Sequence, residues 1–365
     1  MLVTRLEARD FRNLAMAEVE LADGITLIHG PNGAGKTNLL EALCFALTGG
    51  SWRTNTEREL VAFGAELART EVVIDELDEA RHFAATIARG EGRSHRLNGK
   101  PLTADARELR PALAIFSPDR LALIKGPPTV RRGHVDRFVA ALWPARATLR
   151  RRYGRALAQR NALLARVRAG AASQDALAAW DAELAAEGAA LVEARDAAIE
   201  RLSPSFGAIA GSLGLPGSST IVYRPRTGVV DAEAIAEQLR ERRASDVERG
   251  YSAHGPHLDE IEIALEGQAL RRFGSQGEQR TALLALLLAE RAALRDARRT
   301  PPLMLLDDVM SELDAARRLL LVELLRDGGG QALLTATESA QVPDEGGRAE
   351  VEIHAGRVGT VALAA

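Results

Sequence analysis

Residues 30–37, with the sequence GPNGAGKT, combine glycines, a lysine and a threonine at a spacing that suits phosphate binding. Glycine lets the backbone wrap closely around an anion, so that amide N–H groups and the start of a following helix face its negative charge. Lys36 is placed to reach the terminal phosphates of a nucleotide, and the Thr37 hydroxyl is placed to bind magnesium. The predicted nucleotide-binding residues of this phosphate loop are Gly30, Pro31, Asn32, Gly33, Ala34, Gly35, Lys36 and Thr37.

A second motif, LMLLDD at residues 303–308, is an apolar run that ends in two carboxylates. Taken alone, such a run is also typical of a strand that ends in a solvated loop, but the phosphate loop upstream favours a catalytic interpretation. Asp307 is then predicted to hold magnesium together with Thr37. Asp308 is the candidate that orients or deprotonates the attacking water, and we predict that Asp308 and Lys36 are the catalytic residues.

The sequence SQGEQR at residues 275–280 resembles the signature of ABC ATPases and begins 32 residues before Asp307. Ser275 and Glu278 also match an ordinary capping box at the start of the apolar helix that follows. The two interpretations are compatible, because a serine-capped helix start also suits a terminal phosphate. The predicted nucleotide contacts of this motif are Ser275, Gln276 and Gly277.

These motifs together indicate a dimer. In ABC ATPases the signature of one subunit closes over ATP bound to the phosphate loop of another, and this chain carries one of each. SELD at residues 311–314 matches the loop that crosses the dimer interface in that superfamily. We therefore expect a homodimer with two ATP molecules between its subunits, which ATP binding stabilises and hydrolysis releases.

Strands and a helix must position these residues. The phosphate loop follows a strand-like segment at 25–29 and precedes an apolar-periodic helix at 38–48, which is the context that the motif requires. Further strands are predicted at 2–8, 17–21, 70–77, 82–88, 94–97, 219–224, 259–265, 331–335 and 349–355. The predicted fold class is α/β, an ABC-type P-loop ATPase head with a short helical arm inserted into it.

The arm is predicted from about residue 132, where strand signals give way to helix rich in alanine and arginine. This helix breaks near Gly170 and ends at Leu202, before Ser203-Pro204. Apolar residues at intervals of seven predict an antiparallel pair: Leu142, Leu149, Ala156 and Leu163, then Leu177, Leu184 and Leu191. The predicted domains are an N-terminal lobe with the phosphate loop (1–131), the arm (132–203), and a linking segment with the C-terminal lobe that carries the signature, the acidic motif and SELD (204–365).

The composition is that of a globular protein, with 365 residues, 46% of them hydrophobic, and a net charge of −3. This charge gives no sign of a polyanionic partner, so any nucleic-acid contact has to come from local clusters. The N-terminus lacks the apolar core of a signal peptide, and no apolar run has the length of a membrane span, so we expect a cytoplasmic protein without membrane contact. The single cysteine, Cys44, excludes an internal disulfide.

Arginine clusters are the candidates for DNA contact. Arg131 with Arg132, and Arg151 with Arg155, are predicted to contact phosphates, and the second pair shares a helix face at a spacing of four. The alternative for each cluster is a solvated helix face paired with acids. Aromatic residues make up only 4% of the chain, which disfavours base stacking on single strands and favours contact with the backbone of a duplex.

The order of the motifs and the 270 residues between Thr37 and Asp307 resemble the RecF family, which is similar to the SMC-like ATPases but has a shorter arm. Matching segments in the same order are DFRN at 10–13, LNGK at 97–100, FSPDRLALIKGPPTVRR at 116–132, SAHGPHLDE at 252–260 and LLDDVMSELD at 305–314. The resemblance implies that Arg12 and Asn13 lie near the nucleotide. It also implies that the protein binds ATP and gapped duplex DNA and, with RecR, helps to load RecA.

Departures from the wider superfamily predict slow ATP hydrolysis suited to a switch. Asp308 stands where many ABC ATPases have glutamate, Thr337 stands where a histidine is usual, and no glutamine occupies the segment Ser117-Pro118-Asp119. Two other classes remain open at this point. A transporter subunit would have its motifs closer together, and a structural SMC-like tether would have a much longer arm. His254 and His257 are predicted to have loop or core roles, because no second cluster completes a metal site.

Overall fold

A computed structural model describes residues 2–54, 56–76, 79–90, 92–103, 109–228, 231–344 and 347–362. Contacts within the chain divide it into two compact units. The sheet unit comprises Met1–Arg120 and Leu294–Ala365, and the helical unit comprises Leu121–Ala293. None of the helices in the described ranges combines the length and hydrophobicity that a membrane span requires.

In chain order, the described strands are β1 (Leu2–Phe11), β2 (Leu14–Glu20), β3 (Ile25–His29), β4 (Leu67–Glu76), β5 (Glu79–Ala88), β6 (Gly92–Leu97), β7 (Lys100–Pro101), β8 (Leu113–Phe116), β9 (Ser219–Arg224), β10 (Glu260–Leu265), β11 (Gln268–Ala269), β12 (Leu303–Leu306), β13 (Ala332–Ala336), β14 (Ala349–His354) and β15 (Arg357–Ala362). The helices are α1 (Lys36–Thr48), α2 (Ala122–Lys125), α3 (Pro128–Leu142), α4 (Leu149–Arg168), α5 (Leu177–Ser212), α6 (Ala232–Glu241), α7 (Arg243–Arg249), α8 (Leu270–Phe273), α9 (Gln276–Arg298) and α10 (Ala315–Asp327).

The sheet unit contains one sheet of twelve strands in the order β7-β6-β5-β4-β1-β2-β15-β14-β3-β13-β12-β8. Strands β14, β3, β13, β12 and β8 run parallel to one another, whereas β1, β2 and β4 to β7 form an antiparallel part. The carboxyl ends of β3, β13 and β12 therefore meet at one edge, where ligands bind in open α/β sheets. The phosphate loop and the two predicted acids follow two of these strands.

Burial explains why the parallel strands form. The residues of β12 and β13 are all buried, and their runs LMLL and ALLTA are continuously apolar except for one threonine. Such runs are typical of parallel strands that are covered on both faces. Helix α1 belongs to the same core, where the ring centroids of Phe11 and Phe45 lie 5.7 Å apart. The predicted α/β class and the predicted strands of this unit are confirmed.

The helical unit is described by itself. Helices α4 and α5 form an antiparallel pair, because their side-chain partners occur in opposite order along the chain: Arg152 with Glu187, and Arg160 with Asp181. A second, three-stranded sheet has the order β11-β10-β9. Its strand β9 packs against α5.

Two details of the predicted arm are wrong. Leu142 ends α3 and Leu149 begins α4, so the residues spaced by seven do not lie on one helix. Helix α5 also continues past Leu202, through Pro204, to Ser212. Proline inside a helix costs about 3 kcal/mol. The fully buried Phe206 and Ala210 continue the apolar face beyond it, and their burial outweighs that cost.

The limits of the two units also differ from the predicted limits at 131 and 203. Residues 121–131 and 204–293 belong to the helical unit rather than to the lobes of the ATPase head. The reason is local packing within this unit: Arg131 of α3 forms an ion pair with Glu260 of β10.

Candidate nucleotide site

The phosphate loop joins β3 to α1, as its motif requires. Gly30, Gly33 and Gly35 have φ values of 149°, 78° and 115°, which side chains rarely adopt. A Cβ atom at Gly30 would lie 2.1 Å from the carbonyl oxygen of Ile353 in β14, whereas one at Gly33 would meet nothing within 4 Å. The loop is therefore packed tightly on its β14 side and leaves open space beside Gly33, which suits a phosphate group.

Lys36 lies over this loop. Its Nζ atom donates hydrogen bonds to the carbonyl oxygens of Gly30 at 2.7 Å and Pro31 at 3.0 Å. Burial lowers the pKa of the Lys36 ammonium, while the nearby carboxylates of Asp308 and Asp307 act in the opposite direction. The predicted lysine and the two predicted acids thus lie close enough to influence one another electrostatically.

Thr37 joins the two halves of the site. Its hydroxyl lies 2.8 Å from Oδ1 and 3.0 Å from Oδ2 of Asp307, although 270 residues separate them in the chain. The parallel order β3-β13-β12 brings them together. Burial raises the pKa of Asp307, and the hydrogen bonds from Thr37 and Thr335 partly offset this effect. The geometry is the one that the two sequence motifs predict.

Asp308 has a φ value of 50°, in the left-handed region that is uncommon for residues other than glycine. Its backbone N–H donates to the hydroxyl of Thr335 at 2.8 Å, and its carbonyl accepts from Ser311 at 2.9 Å. The Thr335 hydroxyl in turn lies 2.8 Å from Asp307 Oδ1. No sequence motif identified Thr335 as a site residue, because its contacts with Asp307 and Asp308 depend on the register between β13 and β12.

Arg12 contacts a buried carboxylate that the sequence did not single out. Its Nε and Nη2 atoms donate to the two oxygens of Glu41, at 3.0 and 2.9 Å. Glu41 lies on α1, is fully buried, and also accepts from Arg53 at 3.1 Å and Ser51 at 2.5 Å. Glu41 therefore holds two arginines beside the phosphate loop. The sequence signal that could have identified Glu41 is its position as an acidic residue in the apolar helix that follows the phosphate loop.

Asn13 contacts the phosphate loop directly. Its Nδ2 atom donates to the carbonyl oxygen of Gly33 at 3.0 Å, and its Oδ1 atom accepts from Asn38 at 2.7 Å. Asn38 accepts in turn from Arg53 at 2.8 Å. Asn13 and Arg12 thus border the loop, although the roles that the family resemblance implies for them stay predictions.

The donor set at the Thr37 end of the site consists of a hydroxyl and a carboxylate, hard oxygen ligands of the kind that magnesium prefers. Within the described ranges, no group of three or more His, Cys, Asp or Glu side chains is arranged to hold a metal ion. Magnesium in nucleotide sites commonly takes only one or two protein ligands and completes its shell with phosphates and water. Thr37 and Asp307 therefore fit a magnesium nucleotide, with the open space beside Gly33 for phosphate.

The signature motif lies in the helical unit, where it forms the capping box that the sequence indicates. The N–H of Ser275 donates to Glu278 at 2.7 Å, and the N–H of Glu278 donates to the Ser275 hydroxyl at 3.3 Å. Ser275, Gln276 and Gly277 are all exposed, and a Cβ atom at Gly277 would meet nothing within 4 Å. The start of α9 is thus open, and its contact with nucleotide stays a prediction.

The arginines predicted to contact DNA fall into two groups. Arg131 and Arg132 are buried, with 4% and 9% of their surface exposed. Arg131 pairs with Glu260, and Arg132 donates to the carbonyl of Asp259 at 2.7 Å. Because these two arginines are enclosed by their own unit, we withdraw them as DNA contacts. Arg151 and Arg155 on α4 are exposed.

Other residues singled out by the sequence have internal partners. His257 lies 2.6 Å from the Tyr153 hydroxyl, and His254 lies 2.8 Å from Arg242. Thr337, at the position where a histidine is usual, bonds Gln341 at 3.1 Å. The loop and core roles predicted for both histidines agree with these contacts.

Comparison with known proteins gives one consistent relationship. The family model described as RecF/RecN/SMC N terminal domain matches residues 2–355. The DNA replication and repair protein RecF of Anaeromyxobacter sp. (strain Fw109-5) is 38% identical over 348 residues, and that of Anaeromyxobacter dehalogenans (strain 2CP-1) is 39% identical over 351; each alignment covers 93% of both chains.

Solved structures agree with these relatives. The recombination mediator protein RecF with ATP, described as part of the RecFOR pathway, has a TM-score of 0.88 at 28% identity and is matched over 99% of this chain and 98% of that one. An Smc head bound to the C-terminal winged-helix domain of ScpA has a TM-score of 0.59 at 17% identity, with 99% and 97% covered, and shows the fold alone. The predicted ABC-type head is confirmed, and the chain belongs to the RecF family of DNA replication and repair proteins.

Proposed function

We propose that this chain is an ATP-dependent DNA-binding protein of recombinational repair and replication restart, in which slow ATP hydrolysis acts as a switch. The observation that carries the proposal is the contact between Thr37 and Asp307 beside Lys36, which assembles both halves of a magnesium nucleotide site. Its relatives are named DNA replication and repair proteins, and one solved relative is described with ATP.

In this proposal Lys36 exchanges its two loop carbonyls for the terminal phosphates of ATP. Thr37 and Asp307 hold magnesium, which neutralises charge on the phosphates when it is bound. Asp308 orients the water that attacks the terminal phosphorus, so that ADP leaves. Aspartate is shorter than glutamate, and Thr337 is bonded to Gln341, so the site offers a short water-positioning group and no histidine at that position. Both features support slow turnover.

We further propose an ATP-dependent homodimer. The exposed start of α9, with Ser275, Gln276 and Gly277, is suited to contact ATP on a second copy of the chain, because a capped helix start attracts a terminal phosphate. ATP would then stabilise the dimer by binding at the shared interface. Partners proposed on family grounds are gapped or junction-containing duplex DNA, RecR and, indirectly, RecA. A cytoplasmic location stays a prediction.

Helix α4 is the proposed DNA surface. It carries seven arginines and no acidic residue. Arg151, Arg155 and Arg166 are exposed and have no ion pair among the described residues, whereas Arg152 and Arg160 pair with acids of α5. Arg151, Arg155 and Arg166 lie within about 60° around the helix and span about 22 Å along it. A stripe of this kind contacts DNA backbone without reading sequence.

The test is fluorescence anisotropy of labelled gapped duplex DNA titrated with the protein, with and without ATP and magnesium, at two salt concentrations. We expect binding that requires ATP, is lost in Lys36→Ala and weakens steeply with salt. Arg151→Ala with Arg155→Ala removes two charges from the proposed DNA surface and should weaken binding. The control removes two exposed arginines of the sheet unit instead: Arg9→Ala with Arg58→Ala should leave DNA binding unchanged. Equal, weak binding in every nucleotide condition would contradict the proposed switch.

A further inference from the structure

Thr335 at the end of β13 is fully buried and contacts both acidic residues of the site. Its hydroxyl donates to Asp307 Oδ1 at 2.8 Å and accepts from the backbone N–H of Asp308 at 2.8 Å. A hydroxyl has one proton to donate and lone pairs to accept, so a single group makes both bonds at once. Thr335 therefore fixes the carboxylate of one acid and the backbone of the next.

The alignment of two parallel strands produces this arrangement. Leu306, the last residue of β12, pairs with Leu334 of β13, so the residues that follow them, Asp307 and Thr335, lie side by side. Thr37 makes the other hydrogen bond to Asp307 Oδ1, from the start of α1. If Thr37 turns its oxygen to a metal ion, Thr335 is the remaining hydroxyl donor to that carboxylate among the described contacts.

The second bond acts on a strained residue. Asp308 has φ of 50°, in the left-handed region, where a Cβ atom is crowded by the neighbouring backbone. Its N–H is directed to the Thr335 hydroxyl rather than to another backbone group. Without that acceptor, Asp308 would lose a contact that holds its backbone in this conformation.

We propose that Thr335 is a positioning residue of the nucleotide site, which orients Asp307 toward magnesium and holds Asp308 in place. The inference rests on the proposed function, because it assumes that Asp307 helps to bind a magnesium nucleotide. Thr335 has no exposed surface through which to touch a nucleotide. It acts through the two acids, as partners behind metal ligands commonly do.

The neighbouring strand provides a control for this role. Thr26 of β3 is also buried, with 1% of its surface exposed, and its hydroxyl has no hydrogen-bond partner among the described residues. Threonine to valine keeps the branched shape of the side chain and removes the hydroxyl. Thr335→Val and Thr26→Val thus make the same chemical change in adjacent strands, and only the first removes bonds to the acids.

The experiment measures the affinity of a fluorescent ATP analogue in magnesium and in EDTA, so that the ratio reports how much magnesium contributes. We expect Thr335→Val to reduce this ratio by about 10-fold to 100-fold. Thr335→Ser, which keeps the hydroxyl, should stay within about 2-fold of the parent, and Thr26→Val should match the parent. Thermal melting verifies that each variant is folded, and Thr335→Ala replaces Thr335→Val if the latter does not fold.

Asp307→Asn separates this inference from the proposed function. If Asp307→Asn loses the magnesium contribution while Thr335→Val keeps it, the positioning role is overturned and the proposed magnesium site stands. If Asp307→Asn itself keeps the magnesium contribution, the proposed site and the inference fail together. Equal loss in Thr335→Val and Thr335→Ser would also overturn the inference, because the hydroxyl would then not be the group that matters.

Discussion

The nucleotide site of the sheet unit and helix α4 of the helical unit both depend on charged side chains, but they are specified in different ways. In the site, Lys36, Thr37 and Asp307 follow strands whose parallel order brings them together. On α4, the arginines differ only in the direction in which each side chain leaves the helix. Arg160 is fully buried between two aspartates, whereas Arg155, five residues earlier, is exposed.

The difference shows how far the type of a residue, without its neighbours, indicates the role of that residue. A glycine-rich loop with lysine and threonine has a defined backbone path, so the motif implies its own geometry. An arginine has no such requirement, and its role depends on which neighbours surround it. Removing a paired, buried charge should therefore have a larger effect than removing an exposed one.

Arg160→Ala should cause the largest loss of stability. Arg160 donates to Asp181 at 2.7 Å and to Asp246 at 2.8 Å, with no exposed surface, so its removal leaves two buried carboxylates without this partner. We expect the free energy of unfolding to fall by about 3–5 kcal/mol. Arg155→Ala should change it by no more than about 0.5 kcal/mol. Urea denaturation of both variants measures the difference, and similar values for the two would contradict this interpretation of α4.

Lys36→Ala should reduce the affinity for ATP by about 100-fold, because it removes the charge that faces the terminal phosphates. The chain has only two other lysines, Lys100 and Lys125, and Lys100 is exposed on the edge strand β7. Lys100→Ala is therefore a matched control that should bind ATP normally. Titration with a fluorescent ATP analogue measures both. Retention of ATP binding by Lys36→Ala would mean that the loop does not hold the triphosphate.

Glu41→Gln tests the buried carboxylate behind the phosphate loop. The substitution keeps the shape of the side chain but removes the charge that Arg12 and Arg53 share. Because hydrogen bonds to charged groups contribute about 1.5–3 kcal/mol, we expect a loss of stability in that range and weaker nucleotide binding. Glu59→Gln, which changes an exposed acid of the turn at 57–60, is the control. Unchanged stability in Glu41→Gln would show that the two arginines do not depend on this acid.

Arg151→Ala with Arg155→Ala should weaken DNA binding by several-fold without affecting ATP binding. Each phosphate contact contributes about −0.9 to the slope of log K against log salt, so losing two contacts should make the slope shallower by about 2. The slope is measured by anisotropy over a series of salt concentrations. An unchanged slope would place the DNA surface elsewhere on the molecule.

His257 gives the smallest predicted effect. Burial lowers the pKa of His257 below its ordinary value of 6.5. Because the unfolded chain then takes up the proton more readily, the contribution of His257 is fully present above about pH 6.5 and is lost progressively as the pH falls from 6.5 toward the lowered pKa of the folded state. The slope that His257 contributes to the free energy of unfolding against pH should not exceed about 1.4 kcal/mol per pH unit. The free energy of unfolding, measured from pH 7.5 to 5.5, should decline less steeply in His257→Gln than in the parent protein. Equal declines would show that His257 does not contribute to the pH dependence of stability.

The sequence predicts the sheet unit well because its strands and phosphate loop follow local rules. Gly30, Gly33 and Gly35 adopt the conformations that the motif requires, and Asp307 meets Thr37 as expected. Thr335 was not predictable, since its role depends on the register between β13 and β12 rather than on any motif.

The helical unit is where sequence patterns fail most clearly. Arg131 and Arg132 are adjacent arginines of the kind that contacts DNA phosphates, but the packing of α3 against β10 encloses them. Pro204 is a strong helix breaker, but the burial of Phe206 carries α5 through it. In both cases tertiary burial decides the outcome, and a single sequence does not reveal burial between distant segments.

The position of β3 in the sheet also affects how the chain folds during synthesis. Both neighbours of β3, β13 and β14, come from residues beyond 331, roughly 300 residues after the strand that carries the phosphate loop. At about 5–20 residues per second, the ribosome takes roughly 15–60 s to supply them. For that time β3 has neither of its neighbours to pair with, and unpaired strands are sites of aggregation. The nascent chain therefore has to keep this apolar strand covered, by its own residues or by a chaperone, before a nucleotide site can exist.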